Sequence, residues 1–188
     1  MDDAPLRAAI LVEGESDRRA VLALADRRGR DLAGEGVAVV PIGGAQAIDR
    51  YLAQYGPAGL GLRLAGICDA GEESAYRRGL ERARLGSGLT RAAMEELGFF
   101  VCSADLEDEL IRAHGAGAVL RILGQHGDLA PFRTLQKQPQ WRERPVEEQL
   151  RRFMGSGGRR KIEYGRWLVE TLDLSRVPRP LDGALGHV

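Results

Sequence analysis

The chain has only two cysteines, Cys68 and Cys102, in 188 residues. That excludes a disulfide-built scaffold and leaves too few ligands for a zinc site, which needs several at set spacings. Both lie in apolar runs and read as reduced core thiols. The three histidines, His114, His126 and His187, show neither metal-ligand spacing nor a nucleophile partner, and are assigned to helix ends and surface. A P-loop is missing: no Gly-x-x-x-x-Gly-Lys-Ser/Thr occurs, and the glycines at 155–158 run into Arg-Arg-Lys-Ile instead. The start, Met1-Asp2-Asp3, lacks the basic and apolar regions of a signal peptide, and no apolar run approaches a membrane span. A cytoplasmic protein without membrane partners is expected. Internal repeats and low-complexity tracts are absent as well.

Net charge is the last thing lacking, with 27 basic and 27 acidic side chains. Taken whole, that argues against a polyanionic partner, but the distribution reverses the argument. Residues 1–132 carry 15 basic and 20 acidic side chains, whereas residues 133–166 carry 10 basic and 4 acidic. An acidic region beside a basic arm suits a polyanionic substrate that is gripped and then cut. A solvated, salt-bridged helical face is the plainer alternative. The rest of the composition, 44% apolar and 29% charged, is that of an ordinary soluble domain with a proper core.

What is present alternates. Apolar runs at residues 7–12, 37–42, 62–68 and 99–102 predict buried strands. Between them, helices are predicted at 16–30 with Ser16 as N-cap, at 45–55 after the break at Gly43-Gly44, and at 72–85. A further helix at 106–113 is capped by Ser103 or Asp105. Such alternation implies βαβ units and a parallel sheet, and strands without polar alternation imply burial on both faces. Beyond residue 115 the strand signals stop. Helices are predicted at 116–127, 146–153 and 161–172, and the tail at 177–181 reads as an extended strap. The expected division is an α/β core at 1–114 and a helical extension at 115–188, with its basic arm packed on the core. Trp141 and Trp167 read as helical core.

Two acidic runs close the first and third strands: Glu13-Gly14-Glu15-Ser16-Asp17 and Asp69-Ala70-Gly71-Glu72-Glu73. Carboxylates at strand ends, just before helices, sit at the mouth of an open α/β sheet, where such folds build their sites. If the two strands are neighbours, Glu13 and Asp69 meet within reach of one cation, and carboxylate oxygens are what a hard cation such as Mg²⁺ takes. Glu15, Asp17, Glu72 and Glu73 follow closely enough to support a second cation. For Asp17 and Glu73, helix capping explains the residue equally well. In the basic arm, Arg151, Arg152, Arg159 and Arg160 are expected to contact DNA phosphates.

Together these motifs resemble the TOPRIM domain of topoisomerases, primases and nucleases, and most closely that of the OLD (overcoming lysogenization defect) family. The resemblance rests on Leu11-Val12-Glu13-Gly14-Glu15-Ser16-Asp17 and Ile67-Cys68-Asp69-Ala70-Gly71-Glu72-Glu73. To these it adds the acidic run Asp105-Leu106-Glu107-Asp108-Glu109-Leu110 and the late Gly158-Arg159-Arg160-Lys161. It implies a Rossmann-like α/β fold with a parallel four-stranded sheet flanked by helices, plus a C-terminal helical extension. It further implies a Mg²⁺ site (Mn²⁺ or Ca²⁺ substituting in binding) of Glu13, Asp17, Asp69, Glu73 and Glu107, with Lys161 aimed at the scissile phosphate. The implied activity is endonucleolytic hydrolysis of DNA phosphodiesters, with Glu13, Asp69 and Lys161 catalytic. One departure matters: the second Asp of the family's Asp-x-Asp is Gly71 here, so Glu72 or Glu73 must substitute. A catalytically weak regulatory or DNA-binding subunit is therefore the alternative, as is RNA cleavage. OLD nucleases carry an ATPase domain ahead of the TOPRIM, so a separate ATPase chain is the expected protein partner.

Overall fold

Four apolar runs become one sheet, and the segments between them become its covering helices. The computed structural model describes residues 5–188; the acidic start at 1–3 lies outside them. Strand β1 (Ala8–Val12) leads to helix α1 (Glu15–Arg27) and β2 (Val37–Pro41). A 3-10 turn at Ala45–Ala47 and α2 (Ile48–Tyr55) precede β3 (Arg63–Cys68). A second 3-10 turn, Ala70–Glu72, leads to α3 (Glu73–Arg82), α4 (Arg91–Glu96) and β4 (Phe99–Val101). From α5 (Leu106–His114) onward the regular elements are all helical: α6 (Ala116–Gln125), α7 (Leu129–Gln136), α8 (Val146–Met154), α9 (Gly158–Thr171) and α10 (Arg179–His187). Among the described residues no helix is long and apolar enough to cross a membrane.

All four strands are parallel, in the order β2-β1-β3-β4. β1 and β3 are therefore the adjacent central pair, in register from Ala8 against Arg63 to Leu11 against Gly66. Alternate β1 residues serve opposite faces. Ile10 and Val12 join a core with α1, α5 and the later helices, while Ala9 and Leu11 join a second core with α2 and α3. Burial on both faces explains the unbroken apolar character of β1, β3 and β4, whereas β2, at the sheet edge, is only half-buried beyond Val37.

Helix α9 lies along α1 so closely that a Cβ on Gly165 would come 2.6 Å from the Ser16 carbonyl oxygen. Only glycine permits that approach. At the other end of α1, Arg27 donates to the Val169 carbonyl at 2.8 Å and also to that of Leu172. Arg30 does the same for α10, reaching the carbonyls of Leu185 at 2.6 Å and Val188 at 3.0 Å. These guanidiniums satisfy carbonyls that a helix C-terminus leaves orphaned.

Several local expectations are corrected. Ser16 is not the cap of α1: Gly14 is, its N–H donating to Asp17 Oδ2 at 2.9 Å, and Ser16 lies inside the helix. The tail is not an extended strap but helix α10, for Pro180 falls in the first turn, where a missing N–H costs nothing. Helices α4 and α7 were not anticipated. Trp141 lies in a turn, and Trp167 is only half-buried, with His126 stacked on its ring at 3.4 Å. Both cysteines are buried free thiols, as expected.

Candidate metal centre

Parallel pairing of β1 with β3 brings the two strand-end acids to the same edge: Glu13 follows β1 and Asp69 follows β3. Helix α5 begins beside them and contributes Glu107, and α9 contributes Lys161. The result is a cleft of ≈ 330 Å³ whose wall includes Glu13, Glu15, Asp17, Asp69, Glu107 and Lys161. Glu13 and Lys161, 148 positions apart, thus share one space because α9 docks against α1.

The carboxylates crowd one another. Burial, reinforced by the charges of Glu13 and Asp105, pushes the Asp69 carboxyl up to about 8. Burial together with Glu107 pushes Asp17 up to about 7, against the opposing effect of the Gly14 N–H. Glu72 is also pushed up to about 7, by burial and then by a carboxyl–carboxyl hydrogen bond with Glu13. Glu13 Oε2 and Glu72 Oε2 are buried without a hydrogen-bond partner. Buried acceptors left unpaired are costly.

Glu107 is the deepest of the acids, 4% exposed. Ser16 Oγ donates to its Oε1 at 3.0 Å, and Lys161 Nζ stands 3.5 Å from the same oxygen. Ser16 also lies 3.1 Å from the Lys161 backbone carbonyl, so one hydroxyl ties α1 to both α5 and α9. Although burial alone would lower it, the ammonium of Lys161 is held above its ordinary pKa by Glu107, Asp17, Asp69 and Glu13.

Other expected residues lie elsewhere. Glu73 does not line the cleft: its carboxylate is held by Arg77 at 3.1 Å and Arg91 at 2.5 Å, which keep it below the usual carboxylate range. Glu72, one residue earlier, is the acid turned toward Glu13. Gly71 is exposed, and a Cβ there would meet open space. Glu15 lines the cleft but is shared with Arg18 and Arg19. Of the four arginines, Arg151 is paired with Asp105 at 2.6 Å and Arg160 with Asp128 at 3.3 Å, whereas Arg152 and Arg159 are exposed.

Sequence reasoning missed Ser16 as a bridge and Gly43-Gly44 as cleft wall. Both glycines have positive φ (76° and 105°), and their N–H groups donate to the Glu13 carbonyl. A glycine pair directly after a strand was the available signal. For Ser16 there was none, because its partners come from α5 and α9.

Among the described residues no three His, Cys, Asp or Glu side chains converge closely enough to hold a metal ion as they stand. The chemistry of the donor set nevertheless fits a hard divalent cation. All donors are carboxylate oxygens, two are buried and unpaired, and their mutual repulsion is what a cation relieves.

Known proteins share the sequence pattern of the first strands and the fold. Residues 6–70 match the family described as "Overcoming lysogenization defect protein-like, TOPRIM domain". The fold is similar to the C-terminal region of the Xanthomonas campestris pv. campestris OLD protein, with a TM-score of 0.77 and 25% identity over 97% of this chain and 92% of that one. It is also similar to the C-terminal region of the Burkholderia pseudomallei OLD protein, with a TM-score of 0.74 and 20% identity over 97% and 96% of the two chains. No curated relative matches the sequence.

Proposed function

From the premise that the chain carries an OLD-like TOPRIM domain within the fold of an OLD C-terminal region, we propose that it is the nuclease module of a Mg²⁺-dependent enzyme hydrolysing DNA phosphodiesters. One observation carries the reading: strand-end carboxylates, a buried helix-borne Glu107 and a lysine all line one cleft. Glu13, Asp69 and Glu107 would hold the cation, with Asp17 and Glu72 in support. When bound, a divalent cation supplies Lewis-acid polarisation of a phosphoryl oxygen.

The chain's own residues do the rest. Ser16 fixes the Glu107 carboxylate, and Glu107 in turn holds the Lys161 ammonium over the cleft. Lys161 offers positive charge to the phosphoryl oxygens as negative charge accumulates on them. Gly43 and Gly44 keep the opposite wall free of side chains, so that a phosphate backbone can approach. Residues 115–188 act as the arm that delivers Lys161 and the phosphate-binding arginines to the core at 1–114. Any ATP dependence belongs to an ATPase domain or partner outside residues 1–188, since these hold no P-loop; they alone are expected to hydrolyse no ATP.

The test is cleavage of supercoiled and linear DNA by purified protein with Mg²⁺ or Mn²⁺, alongside melting curves with and without metal. Metal should raise the melting temperature. Glu13→Ala and Asp69→Ala should abolish both the shift and the cleavage. A full metal shift without cleavage would favour the regulatory, DNA-binding reading instead. An unchanged shift in both variants would put the metal elsewhere.

A further inference from the structure

The sequence has two tryptophans, Trp141 and Trp167, and both are half-buried, Trp167 against the edge of the main core. Each lines a groove with a pair of arginines. Trp141 shares one of ≈ 450 Å³ with Arg151, Arg152 and Gly155. Trp167 shares one of ≈ 480 Å³ with Arg159, Arg160 and Gly158. The turn between α8 and α9 separates them, Gly155 lining one groove and Ser156 the other. Both adjoin the cleft. Gly158 belongs to the second groove and to the cleft wall, and the first groove includes Asp105, two residues before Glu107.

The arginines of each pair differ in the same way. Arg151 is committed to Asp105, and Arg160 to Asp128, the Ser156 carbonyl and the face of Phe153. Arg152 and Arg159 are exposed, and among the described residues neither forms an ion pair. Each groove therefore holds one anchored arginine that shapes it, one available cation, one indole, and a second carboxylate already paired outside it, Glu148 with Arg144 and Glu163 with Arg19. The indole of Trp167 is fixed by the His126 ring, which covers one face parallel to it within 5°, and by Tyr164 set perpendicular at 5.1 Å.

An available cation beside a fixed aromatic ring is the recognition unit for one nucleotide of a single strand: the cation takes the phosphate and the ring stacks on the base. Paired bases are already stacked within a duplex and cannot use an indole in this way. We propose that the two grooves bind single-stranded DNA leading to the cleft, with bases stacked on Trp141 and Trp167 and phosphates held by Arg152 and Arg159. This rests on the nuclease reading and adds to it the form in which the strand is held.

Trp141→Phe and Trp167→Phe each leave a single fluorescent indole. In EDTA, so that no cleavage intervenes, each variant is titrated with a thymidine oligonucleotide of about 15 nucleotides, an abasic strand of equal length, and a blunt duplex. The thymidine strand should quench both indoles. The abasic strand should bind about tenfold more weakly, the scale of one lost base–aromatic contact, without quenching. The duplex should quench little. Arg152→Ala and Arg159→Ala should each weaken single-strand binding several-fold and flatten its salt dependence.

Equal quenching by duplex and single strand, or no quenching of either indole, overturns the proposal. Since quenching is read in the Phe variants, an unstable alanine variant does not remove the test. Quenching without cleavage in Mn²⁺ would sink the nuclease reading alone, and cleavage without quenching would sink the grooves alone.

Discussion

Three side chains near the cleft are distinguished by what holds them. Lys161 leans on Glu107 with its side chain half-exposed, so it can face a phosphate without supporting the fold. Lys161→Met should therefore leave DNA affinity within a few-fold while lowering cleavage by on the order of 100-fold, the scale of one preorganised transition-state contact. Equal losses in binding and cleavage would make Lys161 a gripping residue. Ser16 is the reverse case, buried and bonded to two other helices. Ser16→Ala should cost roughly 1–3 kcal/mol in denaturant unfolding by stripping a buried carboxylate of a donor, and should lower cleavage through the misplaced Glu107. Glu73→Gln should keep the metal-induced melting shift, because Arg77 and Arg91 already claim that carboxylate. A lost shift there would return Glu73 to the metal.

At the scale of elements, the contact of α9 with α1 is the joint that assembles the cleft. Gly165→Val would drive a branched side chain into the Ser16 backbone. A destabilisation of about 1–3 kcal/mol is expected for such overpacking, with cleavage falling further than stability alone explains, because Lys161 sits one helical turn away. Normal cleavage in a folded variant would show that α9 need not lie so close. The strands and the helices between them were legible beforehand, since continuous apolar runs broken by glycine carry their own signal. So was the meeting of Glu13 with Asp69, which needed only β1 beside β3. The prolines misled at α10, where Pro180 starts a helix rather than forbidding one. Glu72 and Glu73 were indistinguishable in sequence, since only the position of Arg91 decides which of the two turns away.

For the molecule as a whole, like charge gathered in one cleft makes stability depend on pH. Asp17, Asp69 and Glu72 hold their protons in the folded state up to about 7, 8 and 7, but release them near 4 when unfolded. Between those values the folded state binds more protons, so the stability these groups contribute is full below about pH 4 and lost as pH rises through 7–8. The metal-free protein should melt several degrees lower at pH 8.5 than at pH 5.5. Added Mg²⁺ or Mn²⁺ should raise the melting temperature more at the higher pH, since binding displaces those protons. A metal shift independent of pH would mean that other ligands hold the ion.

The chain has two lysines among its 27 basic side chains, Lys137 and Lys161. Lys137 is exposed beyond the end of α7, while Lys161 is held by Glu107. An acylating reagent therefore meets one open ε-amine and one restrained by a carboxylate, in a background of arginines that do not react. With Lys137 as internal reference, the acylated fraction at Lys161, read by peptide mass spectrometry, reports on the cleft from within. It should rise when a cation competes for Glu107 and fall when a phosphate strand covers the ammonium, so occupancy can be followed without any turnover.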